Sequence, residues 1–130
     1  MPNDTAANPY GPKYRPTEIR VKQEEKTLEL DFEDGSSFSL PAELLRVESP
    51  SAEVQGHGPE EKKIIAGRKH VSIMGVEPVG NYAVTIKFDD LHDTGIYSWD
   101  TLYEMGVHKD EIWQTYLDNV EKLGLSREPS

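Results

Sequence analysis

The residues best equipped for chemistry are packed into one short segment, Phe88-Asp89-Asp90-Leu91-His92-Asp93-Thr94-Gly95, where three carboxylates lie within three residues of an imidazole. Such a set can ligate a metal ion, orient a catalytic histidine or cap a tight turn, because aspartate side chains accept hydrogen bonds from nearby backbone N–H groups. The structural turn is the plainer reading and a binding loop is the other. His57, between Gly56 and Gly58, could join a metal set with His92 and Asp90. A solvated histidine in a flexible loop explains it more simply. His70 precedes a strand and has no partner within reach in sequence.

Other constellations fall short of a recognised chemistry. His108-Lys109-Asp110 supplies the His-x-Asp half of a non-haem iron triad, but no later histidine completes it. The spacing falls at the start of a helix, where Asp110 is expected as the N-cap. Ser98, His92 and Asp93 are close in sequence, yet no serine sits in a Gly-x-Ser-x-Gly turn. Neither a Walker loop nor Gly-x-Gly-x-x-Gly occurs.

Charge and composition narrow the partners. The 130 residues hold 24 Asp and Glu against 14 Lys and Arg, a formal charge of -10. Binding nucleic acid requires clustered cations to neutralise phosphates, and an anionic membrane makes the same demand, so neither partner is expected. With no cysteine, this chain can offer no disulfide, thiolate nucleophile, iron–sulfur ligand or cysteine-held zinc. The sequence shows no run of 18 apolar residues and no leader pattern at its start, which fits a soluble cytoplasmic protein.

Residues 1–16 carry Pro2, Pro9, Pro12 and Pro16 without apolar periodicity, the composition of a disordered tail. Period-two alternation then marks strands at Ile19 and Val21, at Leu28, Leu30 and Phe32, and at Phe38 and Leu40. Residues 22–26 form the first turn, and Asp34-Gly35 marks a hairpin. Pro41 opens a helical turn through Arg46 that Pro50 ends. Residues 55–63 read as a surface loop. Further strands are expected at 70–76, at 82–88 with Tyr82, Val84, Ile86 and Phe88 on one face, and at 96–97. Ser98 caps a helix over 99–105 that Gly106 stops. A last helix over 110–123 presents Ile112, Trp113, Tyr116, Leu117, Val120 and Leu123 as one stripe. Trp99, Tyr97 and Tyr103 add to this aromatic third as core. The expected fold is α+β, a mainly antiparallel sheet of about six short strands with a helical C-terminus. It forms a single domain over 17–125 with a frayed tail at 126–130.

Several adjacent segments carry a family resemblance. Asp31 to Gly35, Leu40 to Val47, Ser49 to Gly58, Gly80 to Val84 and Phe88 to Trp99 together resemble small bacterial proteins related to the N-terminal domain of gamma-butyrobetaine dioxygenase. In the carnitine-pathway enzymes that domain precedes the iron- and 2-oxoglutarate-dependent catalytic domain and holds a structural zinc through three cysteines and a histidine. The resemblance places the family's Leu-Arg-x-x-Cys-x-Cys-x-x-Cys motif on Leu45 to Val54. The thiolates then fall on Ser49, Ser51 and Val54, and the histidine on His92. Hydroxyls are poor zinc ligands and valine is none, so the zinc ligands are not retained and no cofactor is expected. The same domain also occurs fused to P-loop ATPases of the iron–sulfur carrier type, which implies a docking or accessory role in metallocofactor assembly.

The resulting expectation is a stand-alone accessory domain without catalysis, lacking the dioxygenase catalytic domain, that binds a protein partner. Its candidate contacts are Arg46, Ser49, Ser51, His57, Asp89, Asp90 and His92. The alternative is a small-molecule or metal-binding protein centred on His92 and the neighbouring aspartates, with His57, Asp90 and His92 as its metal set.

Overall fold

A computed structural model describes residues 12–129. Six strands form two antiparallel sheets of three. The first contains β1 (Pro16–Lys22), β2 (Thr27–Phe32) and β3 (Ser37–Pro41) in sequential order. Leu28, Leu30 and Phe32 turn inward while Thr27, Glu29 and Asp31 stay at the wet face, the alternation that period two imposes. Register follows from it: Leu30 lies opposite Ile19 on one side and Phe38 on the other. The β2–β3 turn closes with the Phe32 N–H donating to the Ser36 carbonyl at 2.8 Å, and Gly35 supplies a φ of 89°.

The second sheet contains β4 (Ile73–Val79), β5 (Ala83–Phe88) and β6 (Ile96–Ser98), with β5 in the centre. Val84, Ile86 and Phe88 are buried as the alternation requires, but Tyr82 is exposed. It lies in the turn before β5, outside the pleat that would have directed it inward.

Helices close the core. α1 (Ala42–Val47) is buried along its whole length, and α2 (Ala52–Gln55) is a single turn, followed by a 3-10 turn at Pro59–Glu61. α3 (Trp99–Val107) is capped by Ser98, whose Oγ accepts the Thr101 N–H at 3.1 Å. α4 (Lys109–Lys122) follows after one residue. One apolar cluster joins both sheets, α1 and α3 through Leu28, Leu30, Leu45, Ile86, Phe88 and Leu102. Each such fully buried side chain contributes about 2 kcal/mol of transfer free energy. A smaller cluster of Val47, Tyr116 and Val120 seats α4.

Five local expectations need correction. Gly106 lies within α3 and does not end it, because its missing Cβ leaves room for the Phe38 ring. His108, not Asp110, occupies the N-cap position of α4, and Asp110 falls in the first turn, where a carboxylate still favours the helix dipole. Leu123 is exposed beyond the end of the α4 stripe. Of the tail expected over 1–16, residues 1–11 lie outside the described residues, whereas Tyr14 stacks on Tyr103 with ring centres 3.6 Å apart and Pro16 begins β1. Residues 126–129, expected to fray, are docked: the Gly67 and Lys69 N–H groups donate to the Ser126 and Arg127 carbonyls, each at 2.9 Å. The Arg127 guanidinium grips buried Glu43 through two 2.8 Å bonds and covers the Trp113 ring. A carboxylate inside the core requires such a partner, and only a residue remote in sequence supplies it.

Candidate functional site

Two irregular segments meet at the end of the second sheet. One descends from α1 through Glu48, the C-cap, and runs 49–51 into α2. The other is the β5–β6 connection, residues 89–95. The connection is closed by its own backbone, the Phe88 N–H donating to the His92 carbonyl and the Leu91 N–H to the Phe88 carbonyl, both at 3.0 Å. It is tied to the start of β4 by a reciprocal pair: the Asp89 N–H reaches the Ser72 carbonyl at 3.0 Å, and the Ser72 N–H reaches Asp89 Oδ1 at 3.1 Å.

Between these segments lies a buried polar cluster. His92 Nε2 is 2.9 Å from Ser49 Oγ and 3.5 Å from Ser51 Oγ, and the Ser51 N–H donates to Ser49 Oγ at 3.3 Å. Ser49 is fully buried, and Ser51 and His92 nearly so. Gly95 closes the cluster, for a Cβ there would collide with Ser49 Oγ. Gln55 Nε2 satisfies the Ser49 carbonyl at 2.9 Å, and the buried Tyr97 hydroxyl donates to the Leu45 carbonyl. Burial raises the Tyr97 phenol well above its usual range, so it stays a neutral donor. Burial, with the Arg46 charge second, pushes the His92 imidazole below its usual range and favours the neutral ring.

A charged cluster adjoins it. Asp90 Oδ2 accepts Nε–H bonds from Arg46 and Arg68, each at 2.7 Å, while Asp90 Oδ1 accepts the His92 N–H at 3.1 Å. Burial alone would raise the Asp90 carboxyl, but the bonds from Arg46, the His92 backbone and Arg68 outweigh it and hold the group below the ordinary carboxylate range. Arg46 is 7% exposed, and its Nη1 has no partner among the described residues.

The structure brings together Arg46 with Asp90, and Ser49 and Ser51 with His92, but turns most of these groups inward. Asp89 is exposed at the rim, where it caps Ser72. His57 stands apart on an exposed loop, its backbone N–H held by Glu61 Oε1. Among the described residues no three His, Asp or Glu side chains converge as a metal set, so His57, Asp90 and His92 do not form one. The donors at the expected zinc positions are one imidazole and two hydroxyls already bonded to it, with Val54 at the remaining place. This set does not fit zinc. The Ser49–His92 contact has the length of a nucleophile–base pair, yet Ser49 is closed to any substrate. Arg68, Glu53 and Gly95 escape sequence reasoning because each acts through a contact more than 20 residues away with no local pattern.

Two antiparallel sheets closed by helices, with the β5–β6 connection held by a buried serine–histidine cluster, define a small α+β domain. The chain belongs to the family described as gamma-butyrobetaine hydroxylase-like, N-terminal, whose model matches residues 19–103. Two proteins with NMR solution structures are similar to it: one at 45% identity, covering 90% of this chain and 92% of that one with a TM-score of 0.79, and another at 40% identity, covering 99% and 92%, also at 0.79. A crystal structure of a protein of unknown function from Acidithiobacillus ferrooxidans, of the DUF971 family, is 39% identical over 71% of this chain and 92% of that one, with a TM-score of 0.60. No curated protein matches the chain. Among the described residues no helix is long and apolar enough to cross a membrane.

Proposed function

We propose that this chain is a non-catalytic accessory domain that recognises a protein partner through the 89–95 connection, in the cytoplasm, in the service of iron–sulfur cofactor assembly or of an oxygenase. The observation that carries the reading is the inward turn of Ser49, Ser51, Arg46 and His92. Groups with the chemistry to catalyse or to bind a metal are occupied with holding a loop, while Asp89, Leu91 and Asp93 of that loop face solvent. On this reading the domain needs no cofactor of its own, and its net charge of -10 argues against nucleic acid and anionic membrane as partners.

The test is co-purification of the chain with the products of neighbouring genes, joined to metal analysis of protein prepared without a histidine tag. The reading predicts a stoichiometric complex with a P-loop carrier ATPase or an oxygenase and a folded, metal-free domain. Stoichiometric zinc or iron that disappears in His92→Ala would overturn it in favour of a metal-binding protein.

A further inference from the structure

Leu91 is poorly explained by folding alone. Its backbone is held at a φ of 74°, a left-handed conformation that Gly, Asn or Asp adopts with less strain, and the residue is 87% exposed. Lys26, which also has a positive φ, is a polar residue in a hairpin turn, and its Nζ bonds the His70 carbonyl. Leu91 has no comparable compensation: it accepts backbone strain and presents an isobutyl group to water. Backbone strain of this kind persists only where the surroundings over-determine it, and it gathers at functional positions.

The surroundings here do over-determine it. Asp90 and His92, on either side of Leu91, are anchored to Arg46, Arg68 and Ser49, and the Leu91 N–H is itself bonded to Phe88. Inward and outward residues alternate, so Asp89, Leu91 and Asp93 emerge together. Glu53 joins this rim through a 2.6 Å bond from Thr94 Oγ1. Among the described residues Asp89, Asp93 and Glu53 have no basic partner within ion-pair distance.

We propose that Leu91 is a preorganised anchor that inserts into an apolar socket on a partner protein, with lysine or arginine side chains of that partner meeting Asp89, Asp93 and Glu53. The proposal deepens the partner-binding reading above and rests on it. Rigidity is the physical advantage: a side chain already fixed in its bound direction loses little conformational freedom on docking, and a basic rim around the socket gives complementarity. The groove between α3 and α4 of a second copy, about 560 Å³, is a poor socket: Met105 and Ile112 sit there beside Asp100, Glu104, Glu111 and His108, which sets mostly acid against acid. An anionic membrane would repel the same rim.

The experiment places a photo-reactive benzophenone residue at position 91, and separately at the exposed position 123, in the full chain in its native cell. The partner joined at 91 is then purified and titrated with wild-type chain, Leu91→Asn, Leu91→Asp and Asp89→Asn/Asp93→Asn. The expected result is one discrete adduct at 91 and none at 123, with the crosslinked peptide apolar and flanked by Lys or Arg. Leu91→Asn and Leu91→Asp should each weaken binding at least 10-fold. Asparagine tolerates the left-handed backbone, so Leu91→Asn should melt at the wild-type temperature or above, which separates docking from folding. The double aspartate variant should bind more weakly and lose most of the salt dependence. Wild-type affinity in Leu91→Asn, or adducts at 123 but not at 91, would overturn the anchor while leaving partner binding standing. No adduct at either position would overturn both.

Discussion

Ser49 Oγ and His92 Nε2, 43 residues apart in sequence, lie 2.9 Å from each other in a buried contact that joins the α1–α2 connection to the β5–β6 loop. Removing the imbalanced half of such a contact leaves a buried polar atom unpaired, which costs more than the bond itself contributes. His92→Ala takes the imidazole from both serine hydroxyls, which then keep only each other, and empties the space of a buried ring, so it is expected to lower stability by about 2 kcal/mol. Ser49→Ala should cost ~1 kcal/mol, since Ser51 remains for the imidazole. Urea denaturation of both variants measures the difference.

Acid should act in two separate steps. The His92 imidazole is held below its ordinary 6.5, so at falling pH the unfolded chain takes up a proton before the folded chain does. Stability is therefore full above 6.5 and declines as the pH drops from 6.5 through the lowered folded value. Asp90, held below 3.8, acts further down: its contribution is present above 3.8 and is lost as the pH falls through its folded value. Urea midpoints followed from pH 8 to pH 2 should show both declines, with the upper one missing in His92→Ala and the lower one reduced in Asp90→Asn, where Asp31, Asp34 and Glu128, also held low by their hydrogen bonds, still contribute.

Gly95 is required by its neighbours and not by its backbone. An added methyl would meet Ser49 Oγ and approach Pro50 and the Tyr97 ring to 3.2 and 3.3 Å. Gly95→Ala is expected to cost about 2 kcal/mol. Ser49→Ala removes the atom that collides, so the double variant should be more stable than the sum of the singles by roughly 1 kcal/mol in a double-mutant cycle.

Arg127 and Glu43 make the C-terminal segment part of the fold. Arg127→Ala leaves the buried Glu43 carboxylate without its cation and is expected to lower stability by ~2 kcal/mol. Thermal unfolding of this variant, compared with Arg127→Ala/Glu43→Gln, checks the cause: the second change should recover part of the loss.

The strands were legible because one wet face per strand writes itself into the sequence as alternation: Leu28, Leu30 and Phe32 are buried, as are Val84, Ile86 and Phe88. Ser98 was legible as a cap because capping is a local bond. Gly106 misleads because a helix that passes a glycine to admit Phe38 responds to a side chain distant in sequence. The tail at 126–129 was unreadable because its anchor, Glu43, lies 84 residues away. At the site, the family resemblance aligned Ser49 and Ser51 with His92, and the structure joins them. The expectation that the candidates form an exposed contact surface was too broad, for nothing in Arg46 or His92 marks them as inward-facing until Asp90 and Ser49 are seen beside them. Leu91, the one apolar residue of 89–93 among three aspartates and one histidine, carries a signal that composition does not show.

The buried Ser49–His92 and Arg46–Asp90 contacts hold the 89–95 loop in its outward-facing form. Amide hydrogen exchange at Asp89, Leu91 and His92, compared between wild type and His92→Ala, tests it most directly, because all three N–H groups are bonded in the folded loop. Exchange at these three amides should accelerate about 100-fold in the variant and remain faster than in the central strands β2 and β5, because the loop opens without global unfolding. Unchanged protection at Leu91, or exchange there no faster than in β2 and β5, would contradict it.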